Sequence, residues 1–192
     1  IMKIIDNSIK ETAREGPNST RVLGFTAPKS FETVPEDDAI QFRTVSSSFE
    51  YLSRIIFGNL IYIAGDDVRC SESDGDGDGD TDLVLENQYI KAVLLRVPKS
   101  APYTSYDTAN TIFRLTEKTS SNTVTLANSS VVIDDNLTTT SGNGYSEISN
   151  AGQNLPSCQA HFFMNSTAVD YDIYYKLYAG ADFLVVDVRN IR

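Results

Sequence analysis

The residues best suited to chemistry form an alternating aspartate–glycine run near the middle of the chain, Ser73-Asp74-Gly75-Asp76-Gly77-Asp78-Gly79-Asp80-Thr81-Asp82. Carboxylates at every second position can converge on one hard cation such as Ca²⁺, and glycine permits the sharp turns that bring them together. We therefore take calcium as the candidate ion. The candidate metal ligands are Asp74, Asp76, Asp78, Asp80 and Asp82.

The spacing of these aspartates follows the D-x-D-x-D-G calcium loop of EF-hands and thrombospondin type 3 repeats, but the loop lacks its last ligand. Asp74 takes position 1 and Gly79 position 6, whereas position 12, where an EF-hand has a bidentate glutamate, is Leu85. Glu86 comes one residue late. A solvated loop without metal is the alternative, since closely spaced like charges repel one another. Both hypotheses stay open at this point.

The acidity of the chain is local. The net charge is −10, and nine of the 26 acidic residues fall between positions 66 and 86, where Arg69 is the sole basic residue. Segment 66–86 is therefore predicted to be an acidic surface loop, and removal of residues 73–82 is expected to leave the fold intact.

With a pI near 4.5 and no basic run, nucleic-acid contact is expected to be weak or indirect. The longest apolar stretch, 55–64, is too short to span a bilayer, so no membrane partner is expected.

No catalytic residue is predicted. His161 is the only histidine, and it lies in a strand-like run. It could act as a general base, but no nucleophile motif accompanies it, so a partly buried sheet residue is the favoured interpretation. The sequence therefore predicts a protein that is not an enzyme and has no cofactor apart from the candidate calcium.

Cysteines and tyrosines give two smaller predictions. Cys70 and Cys158 lack metal-site spacing; we predict reduced, buried thiols, with a disulfide between them as the alternative. A cluster of four tyrosines could stack on a ligand, although core packing and subunit contact are both favoured over that role: Tyr171, Tyr174, Tyr175 and Tyr178. By strand alternation, Tyr171 and Tyr175 should share one sheet face.

The hydrophobic pattern predicts an all-β protein with helices near its N-terminus. Segment 1–15 has helical periodicity, 17–45 is predicted to be an extended arm, and 47–57 a short helix that ends at Gly58. Short strands are predicted at 60–63, 89–97, 111–116, 123–127, 131–133, 161–164, 171–178 and 183–188. The predicted fold is a single eight-stranded jelly roll or β-sandwich. The predicted domains are the helix and arm, 1–45, and the β core, 46–192.

Three segments resemble capsid proteins of picorna-like RNA viruses of the dicistrovirus and marnavirus type. They are Ala39-Ile40-Gln41-Phe42-Arg43-Thr44 leading into Leu52-Ser53-Arg54, the run from Gly142-Asn143-Gly144-Tyr145 to Gln159–Phe163, and Ile173–Phe183. The last is similar to the final hairpin of those proteins, whose connection commonly reads Ala-Gly-Asp-Asp-Phe. Ala181 departs from that pattern, and His161-Phe162-Phe163 replaces a Pro-Tyr-Tyr type of segment.

The resemblance implies a non-enzymatic jelly-roll subunit that is cut from a polyprotein. Such a subunit assembles with copies of itself and with other capsid subunits into an icosahedral shell, so it would be found in the virion and, during assembly, in the host cytoplasm. A host receptor is a further implied partner, and RNA contact would be weak or indirect.

The alternative is a secreted or surface β-sandwich that binds its ligand in a calcium-dependent way, as an adhesin or lectin does. Calcium binding by the Asp-Gly run separates the two hypotheses.

Overall fold

The structure is a computed structural model that describes residues 2–24, 26, 30–34, 39–43, 54–57, 60–63, 65–120, 122–125 and 137–192. The chain divides into two compact units. One comprises residues 1–51 and 55–62, and the other residues 52–54 and 63–192. The predicted boundary between 45 and 46 lies outside the described residues and stays a prediction.

A helix, α1 (Met2–Glu15), opens the first unit and confirms the helix predicted there. Ile5 is buried, whereas Ile9, one turn further along the helix, is 55% exposed. The helix ends where Gly16 takes a φ of +95°, a left-handed conformation that favours glycine. Pro17 follows and cannot continue the helical hydrogen bonding.

Two short strand pairs follow. β1 (Ser30–Val34) pairs antiparallel with β2 (Ala39–Arg43), and β3 (Arg54–Phe57) lies beside β4 (Leu60–Ile63). β1 and β2 lie within segment 17–45, so part of the predicted extended arm forms a paired hairpin of strands, which was not predicted. β4 confirms the strand predicted at 60–63.

The predicted helix over 47–57 is wrong where the structure describes it, because residues 54–57 form β3; residues 47–53 lie outside the described residues. The prediction took Gly58 as the residue that ends a helix. Gly58-Asn59 is also a two-residue hairpin signal between two runs of β-branched and aromatic residues. Such side chains lose rotamer freedom in a helix and pack well on a sheet, so strand pairing prevails.

The second unit is a sandwich of two antiparallel sheets, which confirms the all-β prediction at that level. The first sheet contains β5 (Val68–Ser73), β6 (Asp82–Glu86), β7 (Ile90–Leu94), β9 (Ile112–Glu117), β10 (Asn122–Thr125) and β12 (Gly152–Leu155). The second sheet contains β8 (Thr104–Asp107), β11 (Ser141–Ile148), β13 (Ser157–Ser166), β14 (Asp170–Tyr178) and β15 (Val185–Arg189). Among the described residues there are fifteen strands, where eight were predicted. Many are too short to be recognised by their own hydrophobic pattern.

The strand order shows how the two sheets are connected. The first sheet runs β10-β9-β7-β6-β5-β12 and the second β15-β14-β13-β11-β8. β5, β6 and β7 are consecutive neighbours, and β12 returns to pair with β5, which is the order of a Greek key. A jelly roll contains two Greek keys, and the described strands of the second sheet follow one another in sequence order instead.

The core forms where the inner faces of the two sheets meet. β13 alternates regularly, and its even-numbered side chains from Cys158 to Met164 are buried. Tyr171 and Tyr175 are both fully buried on the same face of β14, as the alternation predicts. The predicted strands at 89–97, 111–116, 123–127, 161–164, 171–178 and 183–188 overlap β7, β9, β10, β13, β14 and β15, while 131–133 lies outside the described residues.

β11 and β12 lie between the predicted strands 131–133 and 161–164, where no strand was predicted. Glycine and asparagine weaken the strand signal of β11. Tertiary structure explains the glycines, because a Cβ at Gly142 or Gly144 would collide with backbone of β13. The close approach of the two strands therefore requires residues that are poor strand formers by sequence.

A disulfide joins the two sheets. Cys70 on β5 and Cys158 on β13 are bonded, with their Cα atoms 6.0 Å apart, and both residues are 2% exposed. The prediction of reduced thiols is therefore wrong and the alternative is correct. The two cysteines are 88 residues apart in sequence, and only the packing of one sheet on the other brings them together.

A buried asparagine holds two turns together at one end of the sandwich. Asn87, 2% exposed, donates from Nδ2 to the carbonyl oxygens of Tyr178 (3.0 Å) and Ala181 (2.7 Å). Its Oδ1 accepts hydrogen bonds from the backbone N–H groups of Tyr89 (2.8 Å) and Ile90 (2.9 Å). The β6–β7 turn is thereby fixed to the connection between β14 and β15, which belongs to the opposite sheet.

Candidate calcium site and an aromatic sheet face

The Asp-Gly run forms the connection between β5 and β6, residues 74–81, which we call the acidic loop. The Asp74 carboxylate accepts hydrogen bonds from the backbone N–H groups of Gly77 (2.6 Å) and Gly79 (3.1 Å). Both glycines have positive φ, +88° and +97°, which side chains with a Cβ rarely adopt. The alternation of Asp and Gly thus permits the loop to curl around one of its own carboxylates.

Three carboxylates meet inside this curl. One carboxylate oxygen from each of Asp74, Asp76 and Asp78 lies within 4.8 Å of the others. Calcium binds oxygen at about 2.3–2.6 Å, so two oxygens on one ion are at most about 4.6–5.2 Å apart. The three side chains are thus close enough to share one calcium ion.

The other two predicted ligands lie outside this group. Asp80 donates its backbone N–H to the Asp78 carboxylate at 2.9 Å and is exposed. Asp82 is 3% exposed at the start of β6 and accepts a hydrogen bond from the backbone N–H of Gly75 at 2.8 Å. Leu85 is fully buried in the core, and Glu86 forms an ion pair with Lys118 at 2.8 Å. No carboxylate from position 12 therefore completes the site.

The base of the acidic loop packs on the outer face of the first sheet. A Cβ on Gly75 would lie 2.7 Å from a methyl of Val84 and 2.9 Å from one of Val93. Lys91 Nζ donates to the Gly75 carbonyl at 2.7 Å, and Arg114 donates to the Asp76 carbonyl at 3.1 Å. The loop therefore covers two apolar side chains, and two of its backbone carbonyl groups accept hydrogen bonds from the side chains of Lys91 and Arg114.

These contacts correct the prediction that all of 66–86 is a solvated loop. Residues 68–73 and 82–86 are strands, and within the acidic loop Gly75 and Asp76 are half-buried while the other residues are exposed. Val84 and Val93 are 4% and 0% exposed, so removal of residues 73–82 would uncover apolar surface and is no longer expected to be neutral.

We expect the stability of the calcium-free protein to depend on Asp82. Burial, together with the charges of Asp76, Asp78 and Asp74, raises the pKa of Asp82 despite its hydrogen bond from Gly75. The folded state then holds this proton more tightly than the unfolded state, so stability falls as the pH rises from the ordinary aspartate pKa through the raised one.

Asp82→Asn keeps the acceptor for the Gly75 N–H and removes the charge. In EDTA, the variant should be more stable than the wild type at pH 7, and the difference should vanish near pH 3. Urea unfolding at a series of pH values measures this. If the difference in unfolding free energy between variant and wild type stays the same from pH 3 to pH 7, the charge of Asp82 does not cause it.

His161 is a partly buried residue of β13, in agreement with the favoured interpretation. Its Nε2 lies 2.7 Å from Asp172 Oδ1 and its Nδ1 3.5 Å from Glu147 Oε1. Its ring stacks on Tyr174, with ring centroids 4.7 Å apart. Burial alone would raise the pKa of Glu147, but the hydrogen bonds and charges of Lys99 and His161 lower it. The described contacts of the His161 ring are therefore with two carboxylates and two tyrosine rings, and together they fix the orientation of the imidazole.

The four clustered tyrosines separate between the two faces of β14. Tyr171 and Tyr175 lie in the core, and Tyr175 Oη is 2.5 Å from Thr111 Oγ1. Burial raises the pKa of Tyr175 to about 12, so this hydroxyl stays protonated at neutral pH. Tyr174 lies on the outer face beside His161.

Sequence reasoning missed a row of rings on the outer face of the second sheet. We call Tyr103, Tyr145 and Phe163 the aromatic row: Tyr103 is 5.5 Å from Tyr145 and 6.2 Å from Phe163 between ring centroids, and Tyr145 is 5.6 Å from Phe163. Tyr103 is 44% exposed. These residues are far apart in sequence. The β11–β13 register pairs Tyr145 with Phe163, and Tyr103 directly precedes β8, which pairs with β11.

The fold defines the second unit as an antiparallel β-sandwich with an inter-sheet disulfide, an acidic loop and an aromatic outer face. No protein-family model, curated protein or solved structure matches the chain. Within the described residues, no helix is long and apolar enough to cross a membrane.

Proposed function

We propose that this chain is an extracellular, non-enzymatic binding module of the adhesin or lectin-like type, and that its acidic loop binds calcium. The proposal depends chiefly on the convergence of three carboxylate oxygens, from Asp74, Asp76 and Asp78, within 4.8 Å. Calcium would relieve the repulsion among these charges and fix the curl of the loop against the first sheet.

The Cys70–Cys158 disulfide supports an extracellular location, because disulfides persist in oxidising compartments and are rare in the cytosol. The ligand set supports it as well. A site with three carboxylates and no bidentate glutamate should be weak, with a dissociation constant of about 0.1–1 mM, as in extracellular calcium modules. Such a site would fill outside cells and stay empty at cytosolic calcium levels.

Calcium titration by calorimetry tests the proposal, with two charge-matched variants in the same loop. Asp76→Asn removes one of the three converging carboxylates and should weaken calcium binding by about tenfold or more. Asp80→Asn removes the same charge from outside the group and should change the affinity by less than about threefold. Equal effects would mean that only the general charge of the loop matters, and the absence of calcium binding to the wild type would refute the proposal.

A capsid subunit is the second candidate function. The N-terminal unit supports it, because Ile4 and Ile9 of α1 are 58% and 55% exposed and could be covered by a neighbouring subunit. Electron microscopy and light scattering of the purified chain, alone and with any co-expressed capsid chains, distinguish the candidates. Shells of defined size favour the capsid, whereas a monomer that binds calcium favours the extracellular module.

A further inference from the structure

The outer face of the second sheet carries two adjacent rows of side chains suited to one kind of ligand. One is the aromatic row. The other, which we call the amide row, consists of Ser105, Asn143 and Asn165, which are neighbours because Asn143 pairs with Ser105 on β8 and with Asn165 on β13. All three residues of the amide row are exposed. Asn143 and Tyr145 are two residues apart on β11, as are Phe163 and Asn165 on β13, so each pair points to the same face. Tyr103, just before β8, joins this face through its ring contacts with Tyr145 and Phe163.

The amide row offers hydrogen-bonding groups that the described part of the chain does not use. Neither the Asn143 nor the Asn165 side chain forms a hydrogen bond to another described residue. Each amide can donate two hydrogen bonds and accept through its oxygen. Aromatic rings beside these amides provide an apolar surface next to hydrogen-bond donors and acceptors. A pyranose ring has the matching arrangement, because it presents C–H groups on its faces and hydroxyl groups around its edge.

The charges on this face favour a neutral ligand. Lys99 is ion-paired with Glu147 at 2.8 Å and Arg189 with Asp187 at 2.6 Å, and the Asp172 carboxylate accepts a hydrogen bond from Asn190 Nδ2 at 2.7 Å. A strongly anionic or cationic ligand would find its counter-charges already engaged, whereas an uncharged ligand leaves these pairs intact. Tyr103, the exposed ring of the aromatic row at 44%, still gains by being covered.

We propose that the aromatic row and the amide row together bind a neutral polysaccharide, with a sugar ring stacked on the exposed Tyr103 beside the half-buried Tyr145 and Phe163, and with sugar hydroxyls bonded by the amides. The proposal deepens the proposed function, since it names the ligand class of the extracellular module. It does not depend on calcium: the acidic loop packs on the outer face of the first sheet, and the two rows lie on the outer face of the second, so the two sites are on opposite sides of the sandwich.

Calorimetry of the full chain, with its disulfide intact, tests the inference on defined probes. The neutral probes are the β-1,4-linked hexasaccharides of glucose, xylose, mannose and N-acetylglucosamine, and the charged probes are polygalacturonate and heparin. We expect binding to at least one neutral hexasaccharide and none to the charged probes. Binding should persist in EDTA, so a failed calcium titration and a failed sugar titration are separate results.

Variants locate the site. Tyr103→Ala and Asn143→Ala should each weaken binding by about tenfold. Phe183→Ala, which removes another exposed ring (46%) from the connection between β14 and β15, is the matched control and should leave binding unchanged. Melting temperatures verify that the variants fold, and Tyr103 lies outside the strands, so its replacement leaves the sheet intact.

Three results would overturn the inference. They are no binding to any neutral probe at millimolar concentration, an equal effect of Tyr103→Ala and Phe183→Ala, and concentration-dependent self-association that Tyr103→Ala abolishes. The last would show that a second copy of the chain covers this face.

Discussion

Replacement of both Cys70 and Cys158 by alanine is expected to lower the free energy of unfolding by about 4–5 kcal/mol. The bond closes a segment with a sequence separation of 88 residues, and in the loop-entropy model a cross-link of this length removes that much conformational freedom from the unfolded chain. Small domains are stable by only about 5–15 kcal/mol, so the variant should be close to unfolding at 37 °C. Urea unfolding of the oxidised wild type and of the double variant measures the difference.

Reduced wild-type protein is the matched control, because it lacks the bond and keeps both sulfur atoms. It should unfold at a urea concentration close to that of the double variant. This result would attribute the lost free energy of unfolding to the cross-link and not to the removal of two sulfur atoms from the core. If oxidised and reduced wild type unfold at the same urea concentration, the bond contributes nothing to stability, and the predicted loss of about 4–5 kcal/mol is wrong.

Asn87→Ala is expected to cost about 3–5 kcal/mol. The Asn87 side chain bonds one buried and one partly buried carbonyl group and two backbone N–H groups, and alanine leaves all four without this partner. Each buried polar group that loses its hydrogen bond costs about 1–3 kcal/mol, and water entering at the end of the sandwich would offset part of the total. Chemical denaturation gives the loss in free energy.

The neighbouring Gln88→Ala is the control for this prediction. Gln88 is exposed, and its backbone N–H, which donates to Asp67 at 3.1 Å, is unaffected by the substitution. The control should change stability by less than about 0.5 kcal/mol. An Asn87→Ala protein as stable as this control would mean that the two turns are held together by other contacts.

The errors in the sequence-based prediction have a common physical origin. Residues 54–57 have a helix-compatible spacing, yet β-branched and aromatic side chains pack better in a paired strand, and pairing with a partner strand is not visible in local periodicity. β11 was missed because its glycines are required by the backbone of β13, not by β11 itself. The state of the cysteines was predicted incorrectly since spacing along the chain gave no reason to place Cys70 beside Cys158.

The sequence by itself determined the N-terminal helix, the mostly β character of the rest, the alternation that buries Tyr171 and Tyr175, and the acidic run with its calcium-like spacing. These are local properties, set by periodicity, propensity and charge within a few residues. Tertiary structure alone decided that Asp74, Asp76 and Asp78 converge while Asp80 and Asp82 lie apart, that a disulfide links the sheets, and that Tyr103, Tyr145 and Phe163 form one row. Each of these depends on how the loop curls, on how the sheets stack or on strand register, and those follow from contacts between residues far apart in the chain.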